Sequence, residues 1–214
     1  MLWEALLEIG VPKHLVWLVR QLDLRAVGTV RVDEGKTDVF AFEKGVRQGC
    51  LLSPMVFNVV GEKIMRLVKE EAGEKTGCRV AGDNIWNIRY ADDTTLLAKS
   101  EVELQVSAKL VEEYSAEFGL KINREKTNVI SVSGGGSVKM GNTELAVVET
   151  FKYLESFITA HDPSGCEIRA RLGIARSITS NSQSMWRSSK ISQELKERLV
   201  CSLVWSVALY GIES

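Results

Sequence analysis

Asp92 and Asp93 stand side by side in a chain of 214 residues. Ile85-Trp86-Asn87-Ile88-Arg89 precedes them and Thr94-Thr95-Leu96-Leu97-Ala98 follows, two runs with strand character joined through Tyr90-Ala91. Paired carboxylates at a hairpin tip can hold a divalent cation against phosphate oxygens. Hard cations such as Mg²⁺ take oxygen ligands and need few carboxylates when phosphates supply the rest. Two such ions stabilise both the attacking and the leaving oxygen of a phosphoryl displacement. An Asp-Asp pair also serves as a plain polar turn, so the surrounding segments have to decide.

Upstream, Gly45-Val46-Arg47-Gln48-Gly49-Cys50-Leu51-Leu52-Ser53-Pro54 is a glycine-bearing loop that feeds a helix. Ser53 is the expected N-cap and Pro54 the expected first helical residue. Phe57, Val60, Ile64 and Leu67 follow at helical spacing as an apolar stripe. This helix is expected to run to about Ala72 and stop at Gly73. Gly61 inside it costs about 1 kcal/mol relative to alanine. Downstream of the aspartates come Gly119-Leu120-Lys121-Ile122-Asn123-Arg124-Glu125-Lys126-Thr127 and Phe151-Lys152-Tyr153-Leu154-Glu155-Ser156.

In this order the four segments resemble the reverse transcriptases of non-LTR (LINE-type) retrotransposons. The family pattern is an RQG…LSP loop and helix, a YADD hairpin, a GLKIN…KT segment and an FKYLG segment. Group II intron maturases share some of these motifs. The run from Phe151 through Ser156, Ile158 and Thr159, and the tail Leu209-Tyr210-Gly211-Ile212-Glu213-Ser214, favour the LINE-type element. The resemblance runs nearly end to end and implies roles for individual residues. Asp92 would ligate the catalytic Mg²⁺ (or Mn²⁺), with Asp93 supporting the same charged site. Gln48, Gly49 and Tyr90 would shape the pocket for nucleotide and templating base. Lys126 matches a lysine that helps pyrophosphate leave, and is otherwise an ordinary solvated residue. Phe151, Lys152, Tyr153 and Leu154 match the segment that grips the primer strand. Glu155 stands where the family has glycine, and a carboxylate beside a nucleic-acid backbone is unfavourable. The implied partners are an RNA template, a DNA primer and deoxynucleotides, and the implied reaction is RNA-directed DNA synthesis.

The family site also uses a third aspartate, on a strand just ahead of a helix that reads like Leu2-Trp3-Glu4-Ala5-Leu6-Leu7-Glu8-Ile9-Gly10-Val11-Pro12. Asp23, Asp33 and Asp38 stand upstream of the hairpin, and none stands in such a strand. The finger segments and the aromatic residue that excludes ribonucleotides belong, by resemblance, ahead of Met1. The expectation is therefore a fragment of a longer reading frame that does not polymerise alone. A catalytically dead nucleic-acid-binding remnant and an inert, incomplete fragment remain alternatives.

Composition bounds these readings. Hydrophobic residues make up 45% and charged residues 26%, the balance of a soluble globular protein. No apolar run approaches a membrane span, and the start of the chain, with Glu4 and Glu8, is not a secretory signal. Cys50, Cys78, Cys166 and Cys201 are widely spaced and accompanied by two histidines. That pattern argues against zinc and for free thiols in an intracellular compartment, nuclear or cytoplasmic. Net charge is −1, without the overall basic footprint of strong nucleic-acid binders. From Ser164 to Val200, however, seven cations (Arg169, Arg171, Arg176, Arg187, Lys190, Lys196, Arg198) face three anions (Glu167, Glu194, Glu197). Such a stretch can track a phosphate backbone or form ordinary solvated helix faces. Trp186 beside Arg187 could stack on a base, though packing is the commoner fate of one aromatic.

The elements that must position these residues follow from periodicity. Residues 1–22 read as two helices broken at Gly10-Val11-Pro12, with Leu15, Val16, Leu18, Val19 and Leu22 as the apolar face of the second. Residues 28–42 read as a hairpin around Glu34-Gly35. Ser100-Glu101-Val102-Glu103 is a capping box, opening a helix with Leu104, Ala108, Val111, Tyr114 and Phe118 as its stripe and Gly119 as its end. A strand at 127–132 and a loop at Ser133-Gly134-Gly135-Gly136-Ser137 follow. Strands near 138–140 and 145–158 are expected to form a small sheet around Gly141-Asn142. Beyond 161–165 the pattern is helical, with Ile168, Leu172, Ala175 and Ile178 on one face and Leu195, Leu199, Leu203 and Val207 on another. The expected class is α+β: an incomplete polymerase palm, an antiparallel sheet with packed helices, over residues 1–162, then a helical thumb-like region over 163–214. Apolar residues from Leu203 to Tyr210 are expected to leave an exposed patch.

Overall fold

The computed structural model describes residues 2–24, 26–33, 35–42, 45–73, 76–132, 134, 136–160 and 163–210. Glu34, Ser133, Gly135, residues 161–162 and the tail 211–214, all part of sequence expectations above, lie outside that set. The chain is α+β and divides into two compact units. One is Met1–Asn123 with Val138–Glu144; the other is Arg124–Ser137 with Leu145–Ser214. Among the described residues the strands pair two by two, and all pairs but one are antiparallel.

The first unit opens with α1 (Leu2–Glu8) and α2 (Lys13–Leu24), broken at Gly10-Val11-Pro12 as the sequence predicts. Ala5 and Leu6 of α1 are buried. Of the expected apolar face of α2 only Val16 is buried, while Leu18 and Leu22 are 48% and 62% exposed. A nested hairpin follows, β1 (Val27–Gly28) with β4 (Phe40–Ala41) outside and β2 (Arg31–Val32) with β3 (Gly35–Lys36) inside.

Next comes α3 (Ser53–Ala72). Its cap is Leu52, without a side-chain bond, so Ser53 is the first helical residue rather than the N-cap. The reason is local: the Ser53 N–H already donates to the Cys50 carbonyl at 3.2 Å, which draws Ser53 into the helix. Gly73 ends α3 with φ +91° and its N–H on the Lys69 carbonyl. On α1, Glu8 accepts from Lys63 at 2.7 Å and from Arg66, fastening α1 to α3.

The hydrophobic core lies between α3 and α4 (Glu101–Glu117). Ile64, Met65 and Val68 from α3 meet Leu110 and Val111 from α4, with Trp86 between them. Met65 and Val68 thus take a place that the sequence stripe assigned to Phe57 and Leu67, which stay half-buried. Two hairpins precede α4: β5 (Cys78–Val80) with β6 (Asp83–Ile85), which the sequence reading missed, and β7 (Asn87–Tyr90) with β8 (Asp93–Leu96). Ser100 caps α4 by accepting from the Glu103 N–H at 3.3 Å. Glu103 reaches past the cap residue, to the Lys99 N–H at 3.2 Å and to the Gly77 N–H. The bond to Gly77 ties α4 to the strand that begins at Cys78. A Cβ on Gly77 would lie 2.5 Å from both the Ile85 carbonyl oxygen and Trp86 Cβ, and its φ is +105°. A last hairpin, β10 (Lys139–Met140) with β11 (Thr143–Glu144), turns at Gly141-Asn142 as expected. The Gln105 amide of α4 exchanges two 2.7 Å bonds with the Lys139 backbone, as a neighbouring strand would.

In the second unit β9 (Asn128–Val129) pairs in parallel with β12 (Ala146–Val147), and β13 (Thr150–Tyr153) pairs with β14 (Ser156–Thr159). Residues 145–158 therefore do not join 138–140 in one sheet, contrary to expectation, because β11 closes that hairpin within two residues of Gly141-Asn142. Helices α5 (Pro163–Asn181), α6 (Gln183–Arg187) and α7 (Gln193–Leu199) follow, then a π-helical segment Val200–Trp205 and α8 (Ser206–Ala208). Ala175 is buried, but Ile168 and Leu172 are more than half exposed, and Leu195 and Leu203 of the second stripe are 46% and 41% exposed. Strict four-residue spacing drifts by about 40° per step on a helix of 3.6 residues per turn, so such a row leaves any single buried face. The Trp186 indole N–H donates to the Thr179 carbonyl at 2.9 Å, a packing role. Glu167 of α5 accepts from the Phe157 N–H at 2.7 Å and from Arg171 Nε at 2.5 Å, which docks the β13–β14 hairpin on α5. The four cysteines are free. No helix among the described residues is long and apolar enough to cross a membrane.

Two outcomes follow from these contacts. Gly77→Ala should destabilise the protein by about 3 kcal/mol, through backbone strain and a clash with neighbours that cannot rotate away; denaturant midpoints measure it. The Phe157 N–H, then Arg171 and Ser156, hold the Glu167 carboxyl below its ordinary value of 4.5 against the opposing effect of burial. Its contribution is complete above that value and lost as pH falls through the lowered folded value. The wild-type melting temperature should therefore fall more steeply below about pH 4.5 than that of Glu167→Gln.

Candidate active site

The β7–β8 hairpin is built outward from its base. Trp86 is buried in the α3–α4 core, and its carbonyl accepts from the Leu97 N–H at 2.7 Å, closing the ladder where the strands begin. Tyr90 pairs with Asp93, which leaves Ala91 and Asp92 as a two-residue turn. Ala91 has φ +50°, in the left-handed region that residues with a Cβ rarely enter. Asp92 lies in the turn and Asp93 opens β8; both are exposed. Among the described residues neither carboxylate takes part in an ion pair. Tyr90 is 66% exposed, on the same strand face as Ile88.

Gln48 and Gly49 form a turn ahead of α3 in the same compact unit, both exposed, with Gly49 at φ +79°. Arg47 beside them donates to the Leu22 carbonyl at 3.2 Å, tying the loop to the end of α2. Cys50 is a feature the sequence reading did not single out. Hydrogen bonds from the Leu52 N–H, and then from Ser53, lower its thiol below the ordinary value at the start of α3.

Lys126 and the Phe151–Leu154 segment belong to the second unit. Lys126 closes the exposed turn that starts at Arg124, and its carbonyl accepts from the Asn128 side chain at 3.3 Å. Phe151, Lys152 and Tyr153 lie on β13, and Leu154 opens the turn to β14. Leu154 and Glu155 are the two turn residues, at φ +47° and +66°. Positive φ at both central positions is the pattern of a type I′ hairpin turn, which favours Asn-Gly. This explains in backbone terms why a glycine at position 155 would suit the segment. The Glu155 carboxylate sits 2.5 Å from Lys152 Nζ. Lys152 holds its carboxyl below the ordinary range, so the charge that looked unfavourable in the sequence is offset by its neighbour. The Glu155 carbonyl accepts from Arg171, whose guanidinium also covers the Tyr210 ring at 4.4 Å.

The donor set at the β7–β8 hairpin is two hard oxygen ligands that take part in no ion pair among the described residues, a chemistry that fits Mg²⁺ or Mn²⁺. Among the described residues no group of three or more His, Cys, Asp or Glu side chains could hold a metal ion. Replacing Leu154-Glu155 by Asn-Gly should raise stability by about 1 kcal/mol, since relief of two left-handed backbones outweighs an exposed ion pair. A melt of the doubly substituted protein checks it.

The family model for reverse transcriptase (RNA-dependent DNA polymerase) matches residues 1–156. The chain is 28% identical over 133 residues to the Pol polyprotein of the type-2 retrotransposable element R2DM of Drosophila melanogaster, covering 62% of this chain and 12% of that protein. It is 27% identical over 183 residues to the type-1 element R2 polyprotein of Nasonia vitripennis, covering 79% and 17%. With an R2 polyprotein of Popillia japonica the identity is 30% over 142 residues, covering 60% and 20%. The chain thus spans between 12% and 20% of the length of these three relatives. With a family model matched over residues 1–156 and the aspartate pair inside that match, the chain belongs to the reverse transcriptases, in the form carried by non-LTR retrotransposons.

Proposed function

We propose that this chain supplies the catalytic hairpin and the primer-binding surface for RNA-directed DNA synthesis, within a larger assembly of palm, thumb and fingers. The observation that carries the reading is the pair of exposed carboxylates, Asp92 and Asp93, at the tip of a hairpin whose base is locked in the core. Asp92 and Asp93 would hold the divalent metal. When bound, Mg²⁺ supplies charge to offset the oxygens of the transferring phosphoryl group. Gln48, Gly49 and Tyr90 form the nucleotide and template surface of the first unit. Phe151 to Leu154 contact the primer strand, and Lys126 offers a point charge to departing pyrophosphate. The exposed cations Arg176, Arg187, Lys190 and Arg198 give the second unit its thumb-like backbone contact with an RNA–DNA duplex, and binding through them weakens with salt.

Two carboxylates carry at most half the charge needed to balance two divalent ions, so nucleotidyl transfer calls for at least one further acidic ligand. The 214 residues taken by themselves should bind primed RNA without extending it. Incubation with primed RNA template, deoxynucleotides and Mg²⁺ or Mn²⁺, with DNA product read on a gel, makes the measurement. Efficient cDNA synthesis that disappears in Asp92→Ala would show that this polypeptide completes the site by itself.

A further inference from the structure

Arg89 stands three residues before Asp92 on β7. Along that strand exposure alternates against the usual rule. Ile88 and Tyr90 are exposed, while Asn87 and Arg89 are half-buried. The guanidinium of Arg89 pairs with Glu62 of α3. Its Nη1 atom lies where a Cβ on Gly61 would come within 2.7 Å. Gly61 is in the interior of α3, where glycine is unfavourable for the helix. Its lack of a side chain makes room for the arginine head that crosses from the hairpin.

We infer that Gly61, Glu62 and Arg89 form a latch that positions the hairpin tip, so that Asp92 and Asp93 present their carboxylates to a divalent cation. Arg89 is then a positioning residue. The inference rests on the reading of those aspartates as metal ligands. Its physical ground is lever length. Trp86 fixes the base of the hairpin, but four residues of strand at about 3.3 Å each put the turn that holds Asp92 roughly 13 Å beyond that anchor. A two-stranded ribbon of that length bends and twists readily. Attachment at Arg89 leaves one residue of strand, about 3 Å, between the fixed point and the turn. Glu62 serves a second purpose, because it neutralises a cation that would otherwise stand near the metal. An ion pair with so exposed a carboxylate, 63% accessible, adds little to global stability. Breaking it should therefore register in metal affinity more than in the melt.

Terbium(III), a hard oxygen-seeking ion, tests this with the purified 214-residue chain. Its luminescence is sensitised by a nearby aromatic ring, here Tyr90. Asp92→Ala should abolish the titratable signal. Arg89→Ala should weaken Tb³⁺ affinity by about tenfold, the scale of losing a residue that orients a metal ligand, and Gly61→Ala should weaken it less, since the tip of the arginine can shift aside from the added methyl. The charge-reversed pair Glu62→Arg with Arg89→Glu should bind more tightly than Arg89→Glu alone. Wild-type affinity in Arg89→Ala and Gly61→Ala, with the signal still lost in Asp92→Ala, overturns the latch and leaves the metal site standing. A signal that survives Asp92→Ala removes the metal reading and the latch with it. If Gly61→Ala lowers the melting temperature, the charge-reversed pair decides, and failure to recover affinity there overturns the inference.

Discussion

Burial of Trp86 is the contact on which the site depends. Two strands of four residues each do not hold together alone in water. Here the chain enters β7 directly from an indole packed among Ile64, Met65, Val68, Leu110 and Val111. Truncating a buried tryptophan typically costs about 3–5 kcal/mol, more than either strand pair could contribute. Gly77 makes the burial possible, since its Cα hydrogen faces the Trp86 backbone where a side chain would collide. Glu103 then fixes Gly77 to the head of α4. Helix cap, glycine contact and aromatic anchor therefore form one connected support beneath the aspartates.

Against that support stands the strain at the hairpin tips. Ala91, Leu154 and Glu155 all hold left-handed backbone without being glycine, at about 1–2 kcal/mol each. Such conformations persist where surrounding structure over-determines them, and they gather at functional sites. Ala81, at the tip of the β5–β6 hairpin, holds left-handed backbone too, and Ala91 adjoins Asp92, which is proposed above as a metal ligand. At Ala91 the strain sits directly before Asp92, so the direction in which that carboxylate points is set by the backbone of its neighbour. A more permissive residue there would fold more easily and hold the carboxylate less firmly.

Much of this was readable from residue order. The break at Gly10-Val11-Pro12, the extents of α3 and α4, the turn at Gly141-Asn142 and the hairpin under Asp92-Asp93 all rest on short-range signals such as caps, glycines and period. What stayed hidden depends on contacts between distant residues. The β5–β6 hairpin has few apolar positions to announce it, and its turn is fixed by positive φ at Ala81 and Gly82. Ser53 looked like a cap until the Cys50 carbonyl claimed its N–H. Gly61 looked like a weakness in α3 until Arg89, 28 residues later in the chain, arrived above it. Ile168 and Leu172 were assigned to a buried face by period alone, and period cannot say whether anything lies opposite to cover them.

Net charge at the level of composition conceals how the charges are placed. A net charge of −1 suggested no strong footprint for nucleic acid, yet the total averages over two different uses of charge. Glu8 with Lys63 and Arg66, Glu62 with Arg89, and Glu167 with Arg171 are pairs that fasten one element to another. Their charges cancel within a few ångströms and contribute little to the field outside. Among the exposed charges outside those pairs are Asp92 and Asp93 on one hairpin, and, in the second unit, Arg176, Arg187 and Arg198 on helices with Lys190 in the turn between α6 and α7. The first group suits a small hard cation and the second a polyanion. Groups of opposite sign on different elements offset one another in the total, so a net charge near zero is compatible with both.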